Sequence, residues 1–200
     1  MTSYPHEPWH LHARAVVAVH LVRDAPLPHA PGSRVLRLGP WAVVAVAFFR
    51  YVPPGPLVYN EVMAAVLVRD GLRPAVSITQ IWVDSPSSRD GGRELWGIPK
   101  ELARFDVSPD AHTAPGIASV TLGRRARLPF ALPVAFSVSQ AWAGRRRRTP
   151  VRASGRLGVV AARWHLDPDG PLAPLARSRP VITLTLDDAR LRFGRGARKA

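Results

Sequence analysis

Short apolar runs alternate with breaks rich in proline and glycine, and this alternation constrains the fold of the chain more than any other sequence feature. Residues 41–50 (WAVVAVAFFR) are a typical run, and Pro53, Pro54 and Pro56 follow it closely. Proline ends regular structure because it lacks the backbone N–H that a helix or a sheet uses. Valine-rich runs of this length are typical of strands. The pattern therefore predicts a mostly β chain.

About nine segments share this pattern and are predicted strands, namely residues 14–22, 34–38, 41–50, 57–68, 75–83, 117–122, 128–139, 156–165 and 180–186. Their short connections predict a mainly β (α+β) fold, with an antiparallel sheet that curls or closes and little helix. Pro99 stands where a helix could begin and predicts a short helix or turn through Arg104. Residues 166–179 are predicted as a turn-rich loop or short helix, and the polar residues 84–92 as a loop.

The length and composition of the chain predict one globular domain. Two hundred residues suit a single domain, residues 1–200, in which the basic residues 190–200 are expected to form a frayed tail. A hydrophobic fraction of 46% and a charged fraction of 21% are those of a globular protein. The chain has no cysteine, which excludes disulfides, thiolate metal sites and cysteine nucleophiles.

The N-terminal segment gives no sign of secretion. MTSYPHEPWHLHARAVV lacks the basic region followed by an apolar region that marks a signal peptide. The longest purely apolar run, residues 41–49, is far shorter than the roughly 20 residues that cross a membrane. We therefore expect a soluble, cytoplasmic protein without a membrane partner.

The formal net charge of +14 raises the question of a nucleic-acid partner. The arginines are scattered, apart from a tight cluster at residues 145–148 and a looser one at residues 190–198. Neither cluster carries aromatic residues at a spacing that would stack bases. We interpret the clusters as a solvated loop and a basic tail, so that a nucleic-acid partner is not expected. A basic β-barrel that binds RNA is the alternative.

Lysine is almost absent from this basic chain. Only Lys100 and Lys199 occur among its 28 lysines and arginines, and Lys199 lies in the predicted tail. An amine can lose its proton and act as a nucleophile, whereas a guanidinium cannot. Apolar neighbours such as Trp96 and Leu102 are expected to lower the pKa of Lys100. The alternative is a surface lysine that follows a turn.

Other candidates for chemistry are few. Glu61 lies in an apolar predicted strand, where a carboxylate is costly unless it has a partner or points outward. His10 and His12 would share one strand face, but no convincing further ligand lies nearby, so we expect surface histidines and no metal site. The chain has no nucleophile elbow, phosphate-binding loop or dinucleotide fingerprint, and no cofactor is expected.

Residues 91–105 (GGRELWGIPKELARF) resemble the active-site segment of the acetoacetate decarboxylase family, whose pattern is Gly-Arg-Glu followed by Pro-Lys-X-Leu. The family's Schiff-base lysine corresponds to Lys100. Its Tyr-X-Glu segment is similar to residues 59–61, which makes Glu61 the candidate catalytic carboxylate. Two weaker similarities are the strand from an active-site arginine to an aspartate (here Arg14 and Asp24) and the PLAPL segment at residues 171–175. The candidate substrate contacts are Arg14, Tyr59, Trp96 and Glu94.

The resemblance implies an antiparallel β-barrel or cone with few short helices, which encloses a hydrophobic pocket and assembles as a homo-oligomer. It also implies a lyase without a cofactor, in which Lys100 forms an iminium with a small β-keto acid and carbon dioxide leaves. Two alternatives stay open. The same lysine could serve an aldolase or dehydratase that acts on a larger keto acid, or the barrel could bind an apolar small molecule without catalysis.

Two departures from the family pattern concern the substrate. Glu101 stands where the decarboxylases carry a second lysine, and its carboxylate would raise the pKa of Lys100 if the two charges met. Residues 41–49 also lack the acidic residue that the family carries on the strand before Tyr-X-Glu. Both changes bear on the acetoacetate substrate more than on the Schiff-base lysine.

Overall fold

The structure is a computed structural model that describes residues 3–23 and 28–195, so Asp24 and Lys199 lie outside the described residues. The strands, in chain order, are β1 Trp9–Val22, β2 Arg34–Val35, β3 Arg37–Leu38, β4 Trp41–Val52, β5 Tyr59–Asp70, β6 Arg73–Val83, β7 Lys100–Leu102, β8 Asp106–Val107, β9 Ala111–Ala114, β10 Ala118–Trp142, β11 Arg145–Leu166 and β12 Pro180–Phe193. The helices are α1 Pro86–Trp96 and α2 Ala173–Ala176. Neither helix has the length and apolar character that a membrane crossing requires.

One sheet contains these strands, and part of it closes into a ring. The sheet runs in the order β7-β6-β5-β4-β1-β12-β11-β10-β9-β8, with β2 beside β5 and β3 beside β4. A parallel pairing of Val76 on β6 with Val138 on β10 joins the two ends of the ring. Every other neighbouring pair in the ring is antiparallel. The prediction of a mainly β fold whose antiparallel sheet curls or closes is confirmed.

Alternation of side chains along β4 divides the apolar core into two clusters. Phe48 packs in a cluster with the valines of β4 and β5. Tyr51 packs in a second cluster with Trp9, Trp96 and Ile81. Because successive side chains of a strand point to opposite faces, the same strands can serve both clusters. This division separates the two cavities described below.

Helix α1 precedes the lysine and corrects the loop predicted at residues 84–92. The Ser85 side chain caps the helix by accepting a hydrogen bond from the backbone N–H of Ser88 at 3.2 Å, and Pro86 occupies the first turn. Gly97 ends the helix in the left-handed conformation, with φ of 68°. These capping residues, rather than an apolar periodicity, define the helix.

The helix or turn predicted from Pro99 through Arg104 is instead strand β7. Lys100 pairs in parallel with Ile81 of β6, so the segment extends the edge of the sheet. A parallel partner strand comes from a separate part of the chain, so the sequence around Lys100 carries no pattern that indicates the pairing. The short helix allowed for residues 166–179 is present as α2.

Strands contain the arginine cluster at residues 145–148 and the first part, residues 190–193, of the looser cluster. Residues 145–148 begin β11, where Arg146 and Arg148 form ion pairs with the buried carboxylate of Asp70. Residues 190–193 complete β12 and pair with β1. The interpretations as a solvated loop and a frayed tail are therefore corrected for these residues, because backbone ladders and ion pairs hold them.

Candidate active site

Lys100 is the first residue of β7, and its side chain is buried. Alternation along the strand turns Lys100 inward, with 4% of its surface exposed, and turns Glu101 outward, where 63% of its side chain is exposed. Arg93 forms an ion pair with Glu101 and donates from Nε to the backbone carbonyl of Lys100 at 2.6 Å. Glu101 thus forms its ion pair outside the site. Its carboxylate does not contact the Lys100 amine, although the sequence alone allowed such a contact.

Three polar groups accept hydrogen bonds from the amine. Lys100 Nζ donates to Glu61 Oε2 at 2.8 Å, to Ser88 Oγ at 2.9 Å and to Tyr59 OH at 3.3 Å. An ammonium group has three donors, so all of them are used. Glu61 is only 3% exposed, which makes the contact with Lys100 a buried ion pair.

The second oxygen of the Glu61 carboxylate is also held. Tyr51 OH donates to Glu61 Oε1 at 3.1 Å. Tyr51 and Tyr59 lie opposite each other on β4 and β5, and their rings stack with centroids 4.3 Å apart. Tyr51 thus holds Oε1 of the carboxylate, while Oε2 faces the amine.

Burial and charge act on the pKa of Lys100 in opposite directions. Burial lowers the pKa, but the carboxylate of Glu61 and the hydroxyl of Tyr59 outweigh it and raise the pKa above its ordinary value. Burial likewise raises the pKa of Tyr59 to about 12 and that of Tyr51 well above its ordinary value. The lowered pKa predicted from apolar neighbours is therefore corrected: Lys100 is a cation paired with Glu61.

A glycine of α1 makes room for the lysine stem. A Cβ added to Gly92 would lie 2.8 Å from Lys100 Cδ, closer than real Cβ contacts. Glycine inside a helix lowers the stability of the helix by about 1 kcal/mol relative to alanine. Helix stability therefore does not explain the presence of Gly92. The Gly-Arg pair before the lysine has a physical role in both positions, since Gly92 admits the side chain and Arg93 holds the backbone.

The amine faces an apolar cavity of about 80 Å³, which we call the lysine cavity. Its walls include the apolar side chains of Trp9, Phe49, Ile78, Trp96, Ile98 and Phe136. Lys100 and Glu61 are the charged side chains among the described residues that line it. Phe136 is 39% exposed and marks its opening to solvent. No three histidine or acidic side chains in the described ranges form a group that could hold a metal ion.

The structure brings together only some of the residues predicted for the site. Tyr59 and Trp96 line the lysine cavity together with Lys100 and Glu61. Glu94 is exposed on α1 and accepts a hydrogen bond from Tyr4 OH at 2.5 Å, so its carboxylate lies outside the cavity.

Arg14 also lies apart from the lysine. It lines a second cavity, because it pairs with Arg50 of β4, whose side chain lies on the opposite face of the strand from Phe49, the partner of Glu61. The structure therefore places no arginine of the described residues in the lysine cavity.

Sequence reasoning missed two residues that contact the central pair, Tyr51 and Ser88. Tyr51 is the end of an apolar run, and only the register of the β4–β5 hairpin places it opposite Tyr59. Ser88 follows the capping residue Ser85 by three positions, a spacing that could have indicated the helix start. It could not have indicated the contact with the amine.

Solved structures of similar fold span nearly the whole chain. An acetoacetate decarboxylase from Legionella pneumophila has a TM-score of 0.65 at 20% identity, covering 98% of this chain and 88% of that one. The enduracididine biosynthesis enzyme MppR, complexed with pyruvate, has a TM-score of 0.62 at 17% identity, covering 98% and 90%. An acetoacetate decarboxylase-like enzyme from Sphingomonas wittichii RW1 has a TM-score of 0.60 at 16% identity, covering 97% and 93%. These likenesses confirm the predicted fold.

The sequence itself identifies the family. Comparison with curated proteins gives no significant match. The profile of the acetoacetate decarboxylase family matches residues 34–143, which is more than half of the chain and includes Glu61, Ser88 and Lys100. The chain therefore belongs to the acetoacetate decarboxylase family.

Proposed function

We propose that this protein is an enzyme, a Schiff-base-forming lyase that decarboxylates a small β-keto acid with Lys100 as nucleophile. The observation that supports this proposal most is the buried pair of Lys100 and Glu61, 2.8 Å apart, at the wall of an apolar cavity. A buried ion pair is a poor source of stability, so a reactive role is a sufficient reason for its presence.

The first step needs a neutral amine. Lys100 Nζ transfers a proton to Glu61 Oε2, the acceptor at 2.8 Å, which replaces two buried charges by two neutral groups. The amine then attacks the ketone carbon of the substrate and forms a carbinolamine. Glu61 returns its proton to the carbinolamine hydroxyl, water leaves, and the resulting iminium lies beside the Glu61 carboxylate.

The second step breaks the bond between the α-carbon and the carboxylate. Its electron pair moves toward the iminium nitrogen, so that carbon dioxide and an enamine form. The enamine takes up a proton at carbon, and water hydrolyses the regenerated iminium to release a ketone and free Lys100. The apolar walls favour this step, because a substrate carboxylate there meets no cation beyond the reacting nitrogen and is lost as a neutral gas.

The same walls weigh against the alternatives that keep the substrate carboxylate. An aldolase or dehydratase that acts on a larger keto acid would hold that charge through the whole cycle, and an arginine usually does so. MppR, which is similar in fold, has been solved with pyruvate, so pyruvate belongs in any substrate panel. A cavity of about 80 Å³ suits a substrate of few atoms better than a larger one.

Borohydride trapping tests the proposal. The protein is incubated with acetoacetate, pyruvate or an apolar aldehyde, reduced with borohydride, and measured as an intact mass. We expect one adduct, which peptide mapping places on Lys100 and which is absent from Lys100→Ala. Lys199, the other lysine of the chain, is an internal control for non-specific reaction. Carbon dioxide release then separates decarboxylation from aldol chemistry, and the absence of any adduct across the panel would refute the proposal.

We also propose that the protein acts as a homo-oligomer. The outer stretch of β10 exposes large apolar side chains, among them Phe130 at 55% and Val134 at 47%. Exposed apolar patches of this kind mark interaction surfaces. Light scattering is expected to give a mass above one chain, and Phe130→Glu should lower it, whereas a wild-type monomer at micromolar concentration would contradict the proposal.

A further inference from the structure

A second cavity lies on the other side of β4 from the lysine. Phe49 and Tyr51 line the lysine cavity, whereas the alternate residues Phe48 and Arg50 line a cavity of about 190 Å³. Five arginines line it, and we call it the arginine cavity: Arg14, Arg50, Arg125, Arg127 and Arg156. The mechanism proposed above uses none of them.

Three of these arginines are paired with carboxylates. Arg125 Nη2 lies 2.7 Å from Asp110 Oδ1, and Arg127 Nε lies 2.9 Å from Asp187 Oδ2. Arg156 forms an ion pair with Asp188. Each of these three guanidiniums is thus held by its own carboxylate. None of these carboxylates forms an ion pair with the other two arginines of the cavity.

The remaining two arginines face each other without a carboxylate. Arg14 on β1 and Arg50 on β4 are direct cross-strand partners, and neither forms an ion pair with any residue that the structure describes. Like charges that lie directly opposite on neighbouring strands destabilise a sheet. An anion in the cavity would turn this repulsion into two attractions.

An unsatisfied hydroxyl points to a ligand independently of charge. Thr185 lines the same cavity, is 3% exposed, and its Oγ1 has no hydrogen-bond partner among the described residues. A buried hydroxyl without a partner is unfavourable, because it has lost its hydrogen bonds to water. His112 lines the cavity as well, and burial and then Arg50 lower its pKa, so a neutral ring with one N–H donor is present.

The backbone is strained where the cavity is built. Asp188 has a φ of 50°, in the left-handed region that non-glycine residues rarely adopt, and it lies in the β-bulge opposite Arg14. The bulge presents Asp187 and Asp188 in succession, each beside one arginine. Such strain persists where the surrounding structure needs the geometry.

We propose that the arginine cavity binds a small anion with at least two negative charges, a phosphate or a di- or tricarboxylate, between Arg14 and Arg50. The planar guanidinium fork matches the oxygens of both anion types. The third ligand oxygen accepts from Thr185. The small volume of the cavity and the burial of Phe48 in its wall suit a small anion rather than a stacked polynucleotide. This site is independent of the proposed function.

Calorimetric titration in dilute buffer tests the proposal with three probes, phosphate, citrate and chloride at matched ionic strength. We expect phosphate or citrate to bind one site per chain, and their relative affinity to tell which anion type the site prefers. Arg14→Gln and Arg50→Gln should each weaken binding about tenfold or more, and Thr185→Val several-fold. Lys100→Ala should bind as the wild type does.

The control is Arg69→Gln. Arg69 also faces an arginine across strands, Arg34, and both are exposed as Arg14 and Arg50 are, but neither Arg69 nor Arg34 lines the cavity. The proposal would be overturned if chloride gave the same binding signal as phosphate or citrate, or if Arg69→Gln weakened binding as much as Arg14→Gln and Arg50→Gln. Either result would mean that the signal is general charge screening. Binding of a single-stranded polynucleotide that Arg14→Gln and Arg50→Gln abolish, without binding of phosphate or citrate, would overturn it in favour of nucleic acid.

Discussion

The two cavities on either side of β4 treat charge in opposite ways. In the lysine cavity one ammonium meets one carboxylate, and the hydroxyls of Ser88, Tyr51 and Tyr59 complete the contacts of both groups. In the arginine cavity five guanidiniums meet fewer carboxylates, and a hydroxyl is left without a partner. Positive and negative charges balance in the first site, whereas positive charge is in excess in the second.

This difference separates two ways in which a polar site is retained. The pair in the lysine cavity needs only a proton shift to become reactive, because donor and acceptor already touch. The arginine cavity lacks negative charge, which a ligand can supply. A substitution that removes a charge should therefore lower the free energy of unfolding in the lysine cavity and raise it in the arginine cavity.

Among the substitutions that test this comparison, Lys100→Ala is expected to have the largest effect. It removes the nucleophile, so turnover should fall by more than about 10⁴-fold, to the residual rate of a protein without the nucleophile. It also leaves Glu61 buried without a cation, which should lower the free energy of unfolding by about 3–5 kcal/mol. Steady-state kinetics and urea unfolding measure the two effects.

The double variant Lys100→Ala/Glu61→Gln is the control for that loss. It removes both charges, so much of the stability should return while turnover stays at background. A double variant as unstable as Lys100→Ala would mean that packing of the lysine stem against Gly92, rather than the buried charge, causes the loss.

Glu61→Gln separates the two roles of the carboxylate. The amide keeps the shape of the side chain but cannot take a proton, so kcat should fall by about 10²–10⁴-fold. The pKa of Lys100 should fall as well, because burial remains and the opposing charge is gone. Borohydride adducts should therefore form at lower pH than in the wild type. A variant without adduct at any pH would show that Glu61 is needed for attack itself.

The sequence was sufficient for the parts of the fold and site that leave a local pattern. Valine-rich runs between prolines predicted the strands, and the scarcity of lysine pointed to Lys100. The position of Glu61 in an apolar strand indicated a buried carboxylate in need of a partner. These residues are recognisable because burial or chemistry restricts their type.

What the sequence could not predict depends on register and on distant neighbours. The register of β1 with β4 turns Arg14 to the other cavity, and the register of the β4–β5 hairpin places Tyr51 opposite Tyr59. The parallel neighbour of β7 likewise comes from a separate part of the chain, so Lys100 looked helical. A shift of one residue reverses the face of every side chain, and no local pattern fixes it.

Alkaline pH should weaken the lysine cavity and leave the arginine cavity unchanged. The pKa of Tyr59 is about 12 against 10 in the unfolded chain, and the pKa values of Tyr51 and Lys100 are also raised. Groups with a raised folded pKa stabilise below their unfolded pKa, and this stability is lost as the pH rises through the folded value. Tyr59 alone should account for about 2 kcal/mol between pH 10 and 12.

The measurement is urea unfolding across that pH range, with tyrosinate absorbance as a second readout. Almost every cation of this chain is an arginine, whose pKa lies above 12, so few other groups titrate there. Tyr59→Phe should flatten the decline. A decline of equal slope in that variant would assign the alkaline loss to groups outside the lysine cavity.

Arg50→Gln is the smallest expected effect and the one that decides the comparison. Without anions it should raise the free energy of unfolding by about 0.5 kcal/mol, because it relieves the repulsion from Arg14. Adding Arg14→Gln should then gain less than it does alone, since the two positions share one repulsion. In saturating phosphate the sign should reverse, because the wild type gains more free energy of binding than the variant, whose affinity is lower. If Arg50→Gln destabilised the protein in both conditions, the arginine cavity would be a structural charge network, and the contrast with the lysine cavity would not hold.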